Sequence, residues 1–134
     1  MMVAISRGIL EQIVALGVAR PAEEVCGLLL GQAGAIEAIL PAANVAPDPA
    51  RHFELDPAAL IAAHRAARAG GPAIIGHYHS HPSGVAIPSA TDTACASPDG
   101  SLWLVVGGKE ARLWRAEPDR MVNVQFVEVP LDIR

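Results

Sequence analysis

Residues 76–92 read GHYHSHPSGVAIPSATD. Three of the five histidines in the chain, His77, His79 and His81, stand at alternate positions of this stretch. The preceding AII (73–75) is apolar and β-branched, so residues 73–81 predict a central strand. Alternate side chains of a strand share a face, which sends all three imidazoles to one side. Two histidines at i and i+2 can converge on one ion, with Zn–N bonds of about 2.0–2.1 Å. Pro82 and Gly84 then turn the chain sharply. Pro88 opens a short helix to about Ala96, on which Ser89 and Asp92 are three apart and share a face. Asp92 can supply a third ligand, with Ser89 aimed at the same place. Two histidines and one carboxylate leave a fourth position for water, the pattern of a catalytic rather than a structural zinc site. Such a site also needs a base for the protons of that water, usually a glutamate that is not a ligand. Glu24 is the candidate, a charge at the head of the apolar run VCGLLLG (25–31).

Outward from this centre, Ser6 caps a helix over residues 7–19, with Ile9, Leu10, Ile13, Val14 and Leu16 or Gly17 on one stripe. Pro21 ends it. The whole start, MMVAISRGILEQIVALG, reads as helix rather than as a signal peptide. EEVCGLLLGQ (23–32) and AIEAILPAANV (35–45) read as a strand hairpin turning at Gly34. APDPARH (46–52) is a loop and FEL (53–55) a short strand. Asp56 and Pro57 are good Ncap and N1 residues for a helix to about Ala69, stopped by AGG. SLWLVVGG, EARLWRAE and VNVQFVEVP supply three further strands. The fold class is mixed α/β (α+β): a single curved, mostly antiparallel mixed sheet flanked by helices.

The chain has 134 residues, 51% of them hydrophobic but only 4% aromatic, so the core is built from Ala, Val, Leu and Ile. Ten basic and fourteen acidic residues give a net charge of −4, and Lys109 is the only lysine. No basic cluster exists to carry nucleic acid. The longest apolar runs are too short to span a membrane. A soluble, cytoplasmic protein with no nucleic-acid or membrane partner is expected. Its oligomeric state is left open. Cys26 and Cys95 belong to no C-x-x-C pair, and both read as small buried hydrophobes.

Together, EVCGLLLG (24–31) and HSHPSGVAIPSATD (79–92) resemble the JAMM (MPN-plus) zinc metalloprotease family, in its small stand-alone prokaryotic form. The family pattern is an upstream Glu, then His-x-His, seven residues, Ser, two residues and Asp. Here it falls on Glu24, His79, His81, Ser89 and Asp92 without a gap. The resemblance runs from about Ser6 to Gly107 and includes ANVAPDPARHFELDP (43–57). It implies one JAMM/MPN domain over residues 1–134, with a fold related to cytidine deaminases. It further implies one Zn2+ per chain on His79, His81 and Asp92. Glu24 would bind the catalytic water and act as general base, then acid. Ser89 would hydrogen-bond the water or the tetrahedral oxyanion. The implied substrate is the Gly-Gly tail of a ubiquitin-like or sulfur-carrier protein, extended or conjugated. Whether an amino acid or a protein lysine leaves is open.

Two other functions share parts of this pattern. Non-catalytic scaffolds of the same fold lose ligands that this chain keeps. The RadC family has a similar His-x-His-Pro-Ser-Gly and Pro-Ser-x-x-Asp run, but with an N-terminal helical region and nucleic-acid association. A zinc deaminase would need H-x-E and P-C-x-x-C, which are missing.

His77 fits the face but not the family spacing, and reads as a packed residue or one that orients a ligand or touches substrate. Ser80 points to the opposite face, to bond backbone or to act in catalysis. Glu23 reads as a solvated neighbour of Glu24. Asn44, Arg51 and His52 lie in a loop that either lines the substrate groove or is plainly solvated. The segment 82–89 is a candidate cover for the site, with Gly84 as its hinge.

Overall fold

A computed structural model describes residues 1–134. Its elements are β1 (Val3–Ile5), α1 (Arg7–Ala19), β2 (Cys26–Gln32), β3 (Ala35–Ala42), α2 (Pro57–Arg68), β4 (Ala73–His81), α3 (Ala90–Cys95), β5 (Leu102–Gly107), β6 (Glu110–Asp119), β7 (Asn123–Val129) and β8 (Leu131–Ile133). All eight strands form one sheet, in the order β7-β6-β5-β4-β2-β3-β1-β8. The pairs β2–β3, β2–β4, β5–β6 and β6–β7 are antiparallel. The pairs β1–β3, β1–β8 and β4–β5 are parallel. The expected mixed, mostly antiparallel sheet is therefore present. Parallel neighbours need a crossover, and α3 lies in the connection from β4 to β5.

Alternation along the central strands divides the sheet into two faces. On one, Leu29, Tyr78, Leu104, Val106 and Leu113 form the main core with Ile13 of α1. On the other, Leu28 and Leu30 pack with Ala63 of α2. Trp103 and Ala116 continue that face with Ala96, just past α3, and with Phe53 and Phe126. His77 and His79 share it. The imidazoles thus stand on the face of α2 and α3, away from α1.

The α1 helix has the expected bounds, because Ser6 accepts a hydrogen bond from the Ile9 amide. Asp56 caps α2 in the same way, through the Ala58 amide, with Pro57 in the first turn. Four expectations are corrected. Val3–Ile5 is a strand, not the start of a helix. Leu131–Ile133 adds an eighth strand beside it. FEL is no strand, being reduced to one bridge between Asn44 and Leu55. The third helix starts at Ala90, since Ser89 is its N-cap and Pro88 lies outside it.

The close fit at Gly27 carries a prediction. A Cβ there would run into the Cε1, Cζ and Oη atoms of Tyr78, and Tyr78 is 1% exposed within the main core. Neither strand can yield without disturbing the β2–β4 pairing. Gly27→Ala is expected to lose about 1–3 kcal/mol by overpacking. Denaturant unfolding checks this, and an unchanged midpoint would mean that the ring relocates freely.

Candidate active site

Four side chains from three parts of the chain meet at the C-terminal end of β4. Glu24 comes from the residues before β2, His79 and His81 from β4, and Asp92 from α3. One ligand atom from each lies within 4.8 Å of all the others, and all four residues are buried. His79 Nε2 is 3.0 Å from His81 Nε2, and both are 3.0 Å from Asp92 Oδ2.

Local sequence explains how each is held. Ser89 and Asp92 form a capping box: Asp92 N–H donates to Ser89 Oγ (3.0 Å), and Ser89 N–H donates to Asp92 Oδ2 (2.9 Å). The residue that starts the helix thereby fixes the carboxylate rotamer. His81 donates from Nδ1 to the Val85 carbonyl at 2.8 Å, which turns its Nε2 toward the cluster. The loop carrying that carbonyl is anchored rather than free. Its Gly84–Val85 backbone rests on Gly107, where a Cβ would meet it at 2.6 Å, and Trp114 Nε1 donates to the Ala86 carbonyl. Gly84 takes the left-handed φ of 81° that this turn requires.

The charges at the site are strongly perturbed. Burial pushes the Glu24 carboxyl up to about 7, with His81 opposing and Asp92 adding to the rise. Burial also acts on Asp92, yet hydrogen bonds from His79 and His81 outweigh it and hold the carboxyl far below the usual carboxylate range. His79, fully enclosed, is lowered by desolvation despite its bond to Asp92. Desolvation opposes protonation of His81 as well, but its bonds to Asp92 and Val85 win and raise it.

This donor set fits a metal ion. Two imidazole nitrogens facing each other at 3.0 Å, both aimed at one carboxylate oxygen, are poorly satisfied by protons alone. Tetrahedral ligation with bonds of about 2.0–2.1 Å spaces ligand atoms at about 3.3 Å, close to what the side chains already adopt. Glu24 Oε1 is buried without a hydrogen-bond partner and completes the cluster.

Ser89 is brought to the site; its oxygen accepts from the helix, and its hydroxyl proton remains available to donate. His77 is packed, with its ring 4.2 Å from Trp103 and 5.2 Å from Phe53. Desolvation and then His79 push it down to about 3, so it is neutral. Ser80 serves backbone, accepting from the Val25 amide at 2.9 Å. Glu23 pairs with Arg20 at the surface. Cys26 is buried as expected, with its thiol pushed up to about 11 by burial and then by Glu24. Cys95 is exposed, contrary to the expectation of a buried residue, because in the last turn of the short helix it lines an open groove beside Phe53, His77 and Trp103. Arg51 is exposed, whereas Asn44 is tied into the loop by four hydrogen bonds. Sequence reasoning missed Phe53, which stacks on His79 at 4.3 Å and 21°. Its only signal was an aromatic directly after the polar loop 46–52, at the head of the expected strand FEL.

Residues 6–117 match the family described as prokaryotic homologs of the JAB domain. The chain belongs to that family. Its relatives include a protein of Haloferax volcanii named "Desampylase", 37% identical over 109 residues that cover 78% of each chain. A second, from Thermus thermophilus, is named "Probable TtuB-protein conjugate cleaving protease"; it is 36% identical over 88 residues, covering 66% of this chain and 59% of the relative. A solution structure of a protein from Desulfitobacterium hafniense superposes with a TM-score of 0.77 at 25% identity, covering 100% of this chain and 94% of that one. The JAB-domain assignment agrees with the Glu, His-x-His and Ser-x-x-Asp pattern at the site, all of which lies inside the matched residues. No helix is long and apolar enough to cross a membrane.

Proposed function

We propose that this JAB-domain protein is a zinc-dependent peptidase or isopeptidase, cytoplasmic, with residues 1–134 acting as one domain. Its substrate would be the amide bond that follows the Gly-Gly tail of a ubiquitin-like or sulfur-carrier protein. The observation that carries the reading is the buried cluster of Glu24, His79, His81 and Asp92. The names of the two relatives supply the substrate class.

In this reading His79, His81 and Asp92 hold one zinc ion per chain. Zinc held there supplies a Lewis acid that polarises a carbonyl and acidifies water. Glu24 stays outside the ligand set as the proton carrier. With its pKa raised by burial toward about 7, it can take a proton from attacking water and deliver it to the leaving amine. The Ser89 hydroxyl donates its free proton to the oxygen that gains charge as the carbonyl is attacked.

The test is cleavage of a ubiquitin-like protein whose Gly-Gly tail carries either a C-terminal extension or an isopeptide-linked lysine. Cleavage after the second glycine is expected, lost with a chelator and restored by zinc. Absence of cleavage by the zinc-loaded protein would sink the reading. The pH profile checks the base. Glu24 works as a carboxylate, so kcat/KM falls as pH falls through its pKa. A nearby cation favours the charged form, which places the limb between the ordinary 4.5 and about 7. Zinc content measured at each pH separates this limb from metal loss, and a flat profile at constant zinc would put the base elsewhere.

A further inference from the structure

The loop between β3 and α2 holds one polar side chain whose bonds reach both halves of the site. Asn44 Nδ2 donates to the Glu24 carbonyl at 2.8 Å and to the His52 carbonyl at 3.0 Å. Its Oδ1 accepts from the Ala46 amide at 3.0 Å and the Glu54 amide at 3.1 Å. Both donors and both acceptor positions of the amide are thereby used. The two bonds to His52 and Glu54 grip the residues on either side of Phe53. The bond to Glu24 grips the backbone of the carboxylate in the cluster.

Each grip matters for a separate reason. His79 Nδ1 is buried with no hydrogen-bond partner, whereas His81 Nδ1 has the Val85 carbonyl. A ligating histidine is normally oriented through its second nitrogen. His79 has no such bond, and its ring is held by packing instead: Phe53 stacked on one side and Trp103 edge-on at 5.7 Å. The orientation of His79 therefore depends on where Phe53 stands. Glu24 precedes the regular part of β2, so its placement depends on side contacts. Its amide donates to the Pro49 carbonyl, its carbonyl accepts from Asn44, and the next residue, Val25, is bonded to Ser80.

We propose that Asn44 is a positioning residue that sets the orientation of His79 through Phe53 and the placement of Glu24 through its backbone. This inference rests on the reading of the cluster as a zinc site with Glu24 as base. It also separates into two arms. Phe53 serves only the metal arm, and the Ser80 hydroxyl serves only the base arm.

The experiment compares full-length wild type, Asn44→Ala, Phe53→Leu and Ser80→Ala. The readouts are zinc dissociation constant by chelator competition, kcat of the zinc-saturated protein, and melting temperature. Asn44→Ala is expected to weaken zinc binding about tenfold or more and to lower kcat of the saturated protein by about ten- to a hundredfold. Phe53→Leu is expected to reproduce the affinity loss alone, and Ser80→Ala the kcat loss alone. With cobalt in place of zinc, the visible spectrum is expected to shift in Asn44→Ala and Phe53→Leu and to stay put in Ser80→Ala. A folded Asn44→Ala with wild-type affinity and kcat overturns the proposal. If Asn44→Ala does not fold, the split between the other two variants decides, and unchanged zinc affinity in Phe53→Leu overturns it. A wild-type protein that neither binds zinc nor cleaves would instead sink the underlying function.

Discussion

Glu24→Gln is expected to keep about one zinc per chain and to lose hydrolysis by a factor of about 10²–10⁴. The substitution is nearly isosteric, so the packing of a residue that is 4% exposed is preserved. The backbone bonds to Pro49 and Asn44 do not involve the side chain and persist. What disappears is the ability to accept and return a proton. The amide also relieves a charge that burial disfavours, so stability is expected to hold or to rise slightly. Elemental analysis and a turnover assay on the same sample make the check. Full turnover at full zinc occupancy would remove Glu24 from the mechanism.

Asp92→Ala is expected to lose zinc and hydrolysis together. The carboxylate lies 3.0 Å from the Nε2 of both imidazoles and accepts from the Ser89 amide, and it is 3% exposed. Its removal takes away one of the proposed ligands and leaves two histidines facing each other without a counter-charge. It also removes the N3 side of the capping box, at a further cost of about 0.3–1.5 kcal/mol to α3. Asp92→Asn separates the two effects: an amide oxygen can still accept from Ser89, but it carries no charge. Little zinc in both variants, with a higher melting temperature in Asp92→Asn than in Asp92→Ala, is the expected pattern. Normal zinc content in Asp92→Ala would show that the ligand set has been misassigned.

What could be read without coordinates was what local chemistry dictates. Ser6 and Asp56 announce their helices because a cap acts within three residues of itself. The His-x-His and Ser-x-x-Asp spacings were legible because strand and helix periods are local rules. Strands β1 and β8 were not, since three residues carry no period of their own. They exist because β3 offers a partner to β1, and β1 to β8. FEL looked like a strand by composition, but only Leu55 finds a bridge. The parts Asn44 and Phe53 play were also hidden. An asparagine in a proline-rich loop announces a turn, and only the tertiary arrangement brings its amide to the Glu24 carbonyl and its neighbour's ring to His79.

The crossover from β4 through α3 has a consequence for the order in which the site assembles. His79 and Asp92 are 13 residues apart, and His81 lies between them. Closing so short a loop is fast and costs little chain entropy. Glu24 arrives from the far side of α2, and only when β2 has docked on β4. A half-folded chain with β4 and α3 formed would already present the nitrogen and oxygen donors, with Glu24 not yet beside them. Metal uptake can thus run ahead of catalytic competence during refolding, and a stoichiometric zinc content does not certify that a preparation has reached its native state.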